Sequence, residues 1–427
     1  MRRIALYAVG ICLFGAGITW YLFVAQKFTY PAVETNTNET YKTFAVEAYD
    51  VIQKEFWKKL SDQNLSELFY LAIAREAGTS TVLKTADKEG VKDLLSQVLA
   101  QSNEVQQKEF TTNVVKLVLY NLEPFGRAQL LSQEAHADLT NVVTNVNPQT
   151  NLYANLGLPA EAPVSEVVKA YDEKKADIEA TSSPDREEEL KKIEYAKTVL
   201  ADPEKKSVYD ETKVEPTVFS RILSPASAYF HVSKMSPTTQ SEIERGLSAL
   251  PQRDNLILDL RGNIGGDLSF AQTFLGLLHG PNQYAYDIFH NGAYEAQRTL
   301  GLAKLQRLDE YREIVVLTDG MTQSTAEIIT AALKRDHRAL VVGEITRGWG
   351  SIEKIIPMQT KLGGGTYTIL LVTGLTVRDD AEPIESRGVD PDVSIRDPLW
   401  KEKVQKRLHS AALARDVVSV VAAQPLK

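Results

Sequence analysis

Short runs of branched apolar residues, each closed by a turn and several followed by a helical pattern, constrain the second half of this chain more than any other feature. Leu256–Leu260, Ile314–Leu317, Leu340–Val342, Ile355–Ile356 and Thr368–Val372 read as buried strands. Helical patterns lie between several of them, at Leu268–Leu278 and Ala326–Leu333. Strands alternating with helices in this way make an α/β unit around a substantially buried sheet. Of 427 residues, 43% are hydrophobic, enough to fill a sizeable core.

Composition removes several function classes. Lys and Arg number 48 against 56 Asp and Glu, a net charge of −8 with no compensating basic run, so no nucleic-acid partner is expected. Six His and one Cys contain no CxxC or HExxH zinc arrangement, and His231, His279, His290 and His409 show no metal spacing. One cysteine excludes a disulfide within the chain. No metal or cofactor is expected. Gly363-Gly364-Gly365, between apolar strands, reads as a hairpin turn rather than a phosphate loop.

Arg2 and Arg3 precede a stretch, Ile4 to Ala25, that carries no charge. As a helix it is roughly 33 Å long, enough to cross a hydrocarbon core of about 30 Å. A cleaved signal would place bulky Phe23 where a small residue is needed, so an uncleaved single-pass anchor is expected. The positive charges before it put the N-terminus inside and the bulk of the chain in a periplasmic or extracellular space.

Residues 31–41 read as a polar linker. From Tyr41 to about Leu139 the spacing is helical, as in Phe44, Ala48, Val51, Ile52 and Phe56. Residues 151–212 carry three further helical segments around a polar loop at Ser182-Ser183-Pro184, with Lys and Glu over 186–192 as a solvated face. This block, NLYANLGLPAEAPVSEVVKAYDEKK and then IEYAKTVLADPEKKSVYDE, resembles a J-domain. The His-Pro-Asp handle of that family falls on Glu179-Ala180-Thr181, so a helical scaffold is expected and a co-chaperone role is not. Lys401 to Ala423 reads as one terminal amphipathic helix.

Three local signals carry chemistry. Leu256 to Gly266 is a strand ending in a glycine-rich turn, whose bare N–H groups suit an oxyanion, though such a turn can simply need positive φ. Val315 to Ile328 brings a strand to a loop with Ser324 at the start of the next helix. That serine is a candidate nucleophile, and Ser324-Thr-Ala-Glu327 is equally a capping box. Gly343 to Gly350 leads through a glycine turn into Ser351–Pro357.

Together, LILDLRGNIGGDL, EIITAAL, RALVVGEITRGWGSIEKIIPM and RGVDPDV resemble the C-terminal-processing, or tail-specific, serine peptidase family. The resemblance implies a ClpP/crotonase-like α/β peptidase core preceded by an all-α region and the N-terminal transmembrane helix. With the segments read above, the expected boundaries are an anchor over 1–30, helices over 31–145, the J-like block over 150–213 where that family normally has a PDZ module, the peptidase-like part over 216–400 and a helix over 401–427. By the motif, the nucleophile falls on Ser324 and the oxyanion donors on Thr325 with Gly265 or Gly266. The family's lysine base falls on Trp349 and its supporting glutamine on Glu353.

A serine–lysine pair needs a neutral lysine. Lys354 stands at an odd strand offset from Trp349 and points away, whereas Glu353 keeps the facing direction. Lys334 and His337 would have to reach back around the helix. A pseudopeptidase or peptide-binding scaffold is therefore the expectation, and an active peptidase using Ser324 with a rearranged base is the alternative. Partners implied are a polypeptide substrate or protein ligand, the membrane, and a homo-oligomer or envelope complex, since the family often assembles through its N-terminal helices.

Overall fold

A computed structural model describes residues 37–425 apart from 79–81, 102, 147–150, 181–185, 302 and 379. The Ile4–Ala25 stretch, residues 31–36 and the Ser182–Pro184 loop lie outside the described residues. Among the described residues, no helix is long and apolar enough to cross a membrane.

Four helices come first: α1 (Thr37–Glu55), α2 (Asp62–Ala77), α3 (Lys88–Leu99) and α4 (Glu104–Tyr120). Phe44, Ala48 and Ile52 share one face of α1 and are fully buried in a cluster with Leu65, Phe69 and Ile73 of α2. Ser61, Asp87 and Asn103 start α2, α3 and α4 by accepting a backbone N–H in the first turn. Helix α1 begins inside the segment read as a 31–41 linker. The all-helical reading also fails at β1 (Gln129–Ser132), which pairs antiparallel with a strand near residue 370. A four-residue strand has too little periodicity to announce itself, and its partner lies far along the chain. Helix α5 (Gln133–Thr144) comes directly after it.

The next block holds α6 (Leu152–Leu156), α7 (Val164–Ala180), α8 (Arg186–Leu200) and α9 (Pro203–Thr212). It has a small core of its own, including Leu152, Tyr153, Val167, Ala196, Leu200 and Tyr209. Glu179 and Ala180 end α7, while Thr181 lies outside the described residues. Tyr195 on α8 donates to Glu215 at 2.6 Å and its ring meets Phe219, tying the block to the α/β part of the chain.

That α/β part runs β2 (Val218–Ile222), β3 (Ser227–Val232), α10 (Thr239–Ala249), β4 (Asn255–Asp259), α11 (Ser269–His279), β5 (Tyr284–His290), β6 (Ala293–Arg298), α12 (Gln306–Asp309), β7 (Glu313–Thr318), α13 (Thr325–Arg335), β8 (Leu340–Gly343), β9 (Ser351–Pro357), β10 (Tyr367–Thr376), β11 (Val393–Ser394), α14 (Trp400–Arg407) and α15 (Ala411–Val421). One sheet has the order β11-β8-β7-β4-β3-β2, parallel except for β2 at its edge. Leu247, Phe274, Leu275 and Ile329 from α10, α11 and α13 cover one face, and Val404, Leu413 and Val417 from α14 and α15 cover the other. Burial on both faces is why its strands read as continuous apolar runs.

The single helix expected over Lys401–Ala423 is two. Leu408 turns extended and buries its side chain, and Ser410 then caps α15 by accepting the Leu413 N–H. The second sheet has the order β1-β10-β5-β6, with β9 also on β10. The turn between β9 and β10 contains the glycine run, where Leu362 pairs with Gly365.

Candidate active site

Strands β4 and β7 are parallel neighbours, and the loops after their C-terminal ends form the place where such a sheet binds ligands. The β7 loop is pinned on all sides. The Gln323 N–H donates to the Asn263 carbonyl at 2.9 Å, the Thr322 hydroxyl to the Leu260 carbonyl at 2.8 Å, and the Arg347 N–H to the Thr322 carbonyl at 2.9 Å. So held, Ser324 adopts φ 57° and ψ −127°, a conformation that costs a non-glycine residue about 1–3 kcal/mol.

Glycine at 265 and 266 is a consequence of that approach. A Cβ on Gly265 would lie 2.5 Å from the Ser324 Cβ, and one on Gly266 would lie 2.0 Å from the Met235 carbonyl oxygen. The Gly265 N–H is spent on Asn263 Oδ1 at 2.8 Å. No acceptor among the described residues takes the N–H of Gly266. Of the two glycines expected as oxyanion donors, Gly266 is therefore the one whose N–H is available. Thr325 heads α13, adds that helix's positive end, and fixes the turn by donating its hydroxyl to the Gly266 carbonyl at 3.1 Å.

Ser324 and Glu327 form the capping box read from the sequence. Glu327 accepts the Ser324 N–H at 2.9 Å, and the Glu327 N–H, which also meets the Ser324 carbonyl at 2.8 Å, faces the Ser324 side chain. Glu327 is fully buried and also accepts the Thr346 hydroxyl and the N–H groups of Gly348 and Trp349, both at 2.8 Å. One carboxylate thus fixes the serine and the 346–349 turn together. Burial pushes its pKa up, against the opposing pull of those donors.

Gly266, Leu268, Ser324, Thr325, Ile328, Trp349, Ser351, Ile352, Glu353 and Thr376 line one cleft of about 130 Å³. Trp349 donates its indole N–H to Glu353 Oε1 at 3.1 Å, and Ser351 donates its hydroxyl to the same oxygen at 2.6 Å. The three basic alternatives are elsewhere. Lys354 pairs with Glu55 at 2.9 Å on the outer face of β9, Lys334 donates to the Asp390 carbonyl at 2.8 Å, and His337 is exposed beyond the far end of α13. Among the described residues, no lysine or histidine lines the cleft.

Burial raises the Glu353 pKa, opposed by the Ser351 and Trp349 hydrogen bonds and by nearby Arg127. A carboxyl raised in this way contributes most stability below the unfolded value of about 4.5, and that contribution is lost as pH rises through its folded pKa. Glu353→Gln keeps an acceptor for both donors and removes the buried charge. Its melting temperature should exceed that of wild type at pH 7–8, with the difference fading towards pH 4, as thermal unfolding across that range would show. A constant difference would contradict the assignment.

Sequence reasoning passed over Arg127 and Glu385. Arg127 lies between α4 and β1, and its guanidinium stacks 3.5 Å from the centre of the Trp349 ring. It pairs with Glu385 at 2.8 Å, and Glu385 in turn accepts the Gly350 and Ser351 N–H groups. No local pattern announces a contact between residues so distant in the chain. Ser351 was legible, being at an even strand offset from Trp349 and Glu353.

Residues 226–395 match the model of peptidase family S41. The chain is 26% identical over 324 residues to a carboxyl-terminal-processing protease of Synechocystis sp., covering 69% of this chain and 73% of that protein. It is 28% identical over 195 residues to the carboxy-terminal processing protease CtpA of Bacillus subtilis, covering 45% of this chain and 40% of that one. Among solved structures, the photosystem II D1 C-terminal processing protease aligns with a TM-score of 0.49 at 14% identity, over 83% of this chain and 93% of the other. Residues 226–395, within the α/β part, thus resemble peptidase family S41, and the chain is similar to carboxyl-terminal-processing proteases.

Proposed function

We propose that this protein binds polypeptides in the Ser324 cleft without cutting them, as a pseudopeptidase of the tail-specific kind. The observation that carries the reading is Trp349, which occupies the lysine position and bonds Glu353 across the cleft lining. With no neutral amine to take the hydroxyl proton, the loss should resemble removal of a triad base, a fall of roughly 10⁴–10⁶ in rate. Gly266 and Thr325 then serve as donors to a peptide carbonyl that is held and released intact. The Ile4–Ala25 stretch would anchor the protein, with its body on the outer side of a membrane, and the J-like helices would act as a packing or docking element.

A second reading is favoured by the strain at Ser324. In it, Ser324 remains a nucleophile and Glu353, raised by burial, replaces the lysine. The two readings separate on a pool of unmodified peptides incubated with the protein and analysed by mass spectrometry. Peptides retained intact, with retention lost on narrowing the cleft by Thr376→Trp, support the binding role. New C-termini that vanish in Ser324→Ala would overturn it.

A further inference from the structure

Trp349 is a large side chain lining a small cleft, and one of the groups that hold its ring, Arg127, comes from outside the α/β part. The Trp349 backbone N–H and that of Ser324 bond the same oxygen of Glu327, so the two nitrogens cannot be farther apart than those two bonds laid end to end. The indole has two further attachments. Its N–H is held by Glu353, and one ring face carries the Arg127 guanidinium at 3.5 Å. Arg127 is itself fixed by two bonds to Glu385 Oε1, Nε at 3.1 Å and Nη2 at 2.8 Å. Both partners are largely out of solvent, with side chains 17% and 7% exposed. The Glu385 Oε2 atom closes the loop by accepting Gly350 and Ser351 N–H, the residues immediately after Trp349.

We infer that Arg127 is a positioning residue that clamps the Trp349 ring across the Ser324 cleft, so that the segment between α4 and β1 controls access to it. Three features separate this from an ordinary buried ion pair. The guanidinium is planar, lies on the ring and meets one carboxylate oxygen through two nitrogens, a geometry that an ammonium does not reproduce. A cation–π contact with so little solvent access favours one position of the ring by roughly tenfold. The clamp also sits between two carboxylates, Glu353 and Glu385, and Arg127 lowers the cost of burying both. For its purpose this role rests on the peptide-binding reading above: a ligand would enter only when the indole swings off the guanidinium.

The test reads access to the cleft directly and does not require that any peptide bind. In the full-length chain with Cys12→Ser, which removes the sole native thiol, Ser324→Cys places a reporter on the cleft wall. Its rate of reaction with a small disulfide reagent should rise about tenfold on adding Arg127→Lys, which keeps the charge and loses the plane. The melting temperature should stay close to that of the parent. With Trp349→Ala in place the reporter should already react fast, and Arg127→Lys should add less than about twofold, because the two act through one contact. If the lysine variant does not fold, Arg127→Gln, whose amide can still meet Glu385, should accelerate labelling in the same way. The clamp is overturned if labelling is unchanged by either folded variant, or if either accelerates it as much without Trp349 as with it. Failure here would leave the non-cleaving reading standing, since cleft access and the missing base are independent.

Discussion

Trp349→Lys combined with Glu353→Gln is expected to make Ser324 react with a fluorophosphonate probe at least about a hundredfold faster than wild type does, a part of the 10⁴–10⁶ that a missing base removes. Everything else such a reaction needs is already built. Ser324 is held in its strained turn and lines the cleft together with Gly266 and Thr325 at the start of α13. Both changes are required. A lysine beside an ionised Glu353 would be held protonated and could not accept a proton, whereas a glutamine restores a neutral neighbour. Trp349→Ala is the informative control, because it clears the same space and supplies no base. Equal labelling of the alanine and lysine variants would mean that the indole blocks the serine sterically and that chemistry was never the obstacle.

The second large effect concerns Glu327. Its fully buried carboxylate accepts from Ser324, Thr346, Gly348 and Trp349. Glu327→Ala leaves these donors unmatched at about 1–3 kcal/mol each, so urea unfolding should register a loss of at least about 4 kcal/mol. Glu327→Gln, which keeps the shape but turns one acceptor into a donor, should fall between alanine and wild type. An alanine variant within about 1 kcal/mol of wild type would show that the 346–349 turn is held by something other than this residue.

How much of this could be read from the chain alone differs from element to element. The parallel strands β4, β7 and β8 were legible because both faces of their sheet are covered, which makes them unbroken apolar runs. Strand β6 was not, since nearly all of its residues are exposed and its sequence lacks alternation. Strand β1 escaped because four residues carry no period, and its pairing with β10 was set by tertiary contact. The break between α14 and α15 turns on Leu408, whose burial in extended form no helical pattern predicts.

At the site, the neighbours of Ser324 were legible because the glycine turn and the capping motif are local patterns. The outward direction of Lys354 came from strand parity, and its ion pair with Glu55 agrees. What stayed hidden was the underside of Trp349. Arg127 and Glu385 reach it from distant parts of the chain, and an arginine between two helical segments gives no sign of its partner. The capping box was a guide as well, since it identified the Glu327 bond to the Ser324 N–H.

Trp349 and Glu353 are bonded to each other, and Ser351 and Arg127 complete their surroundings. The cleft has matched parts around a tryptophan, beside a serine still held at a strained backbone angle.

The most direct measurement is fluorophosphonate labelling of the folded wild-type protein, read by intact mass beside Ser324→Ala. No mass increase in either sample, under conditions that label a known serine hydrolase fully, is the result predicted for a cleft without a base. A stoichiometric adduct on wild type that disappears with Ser324→Ala would contradict the account and make Ser324 an activated nucleophile.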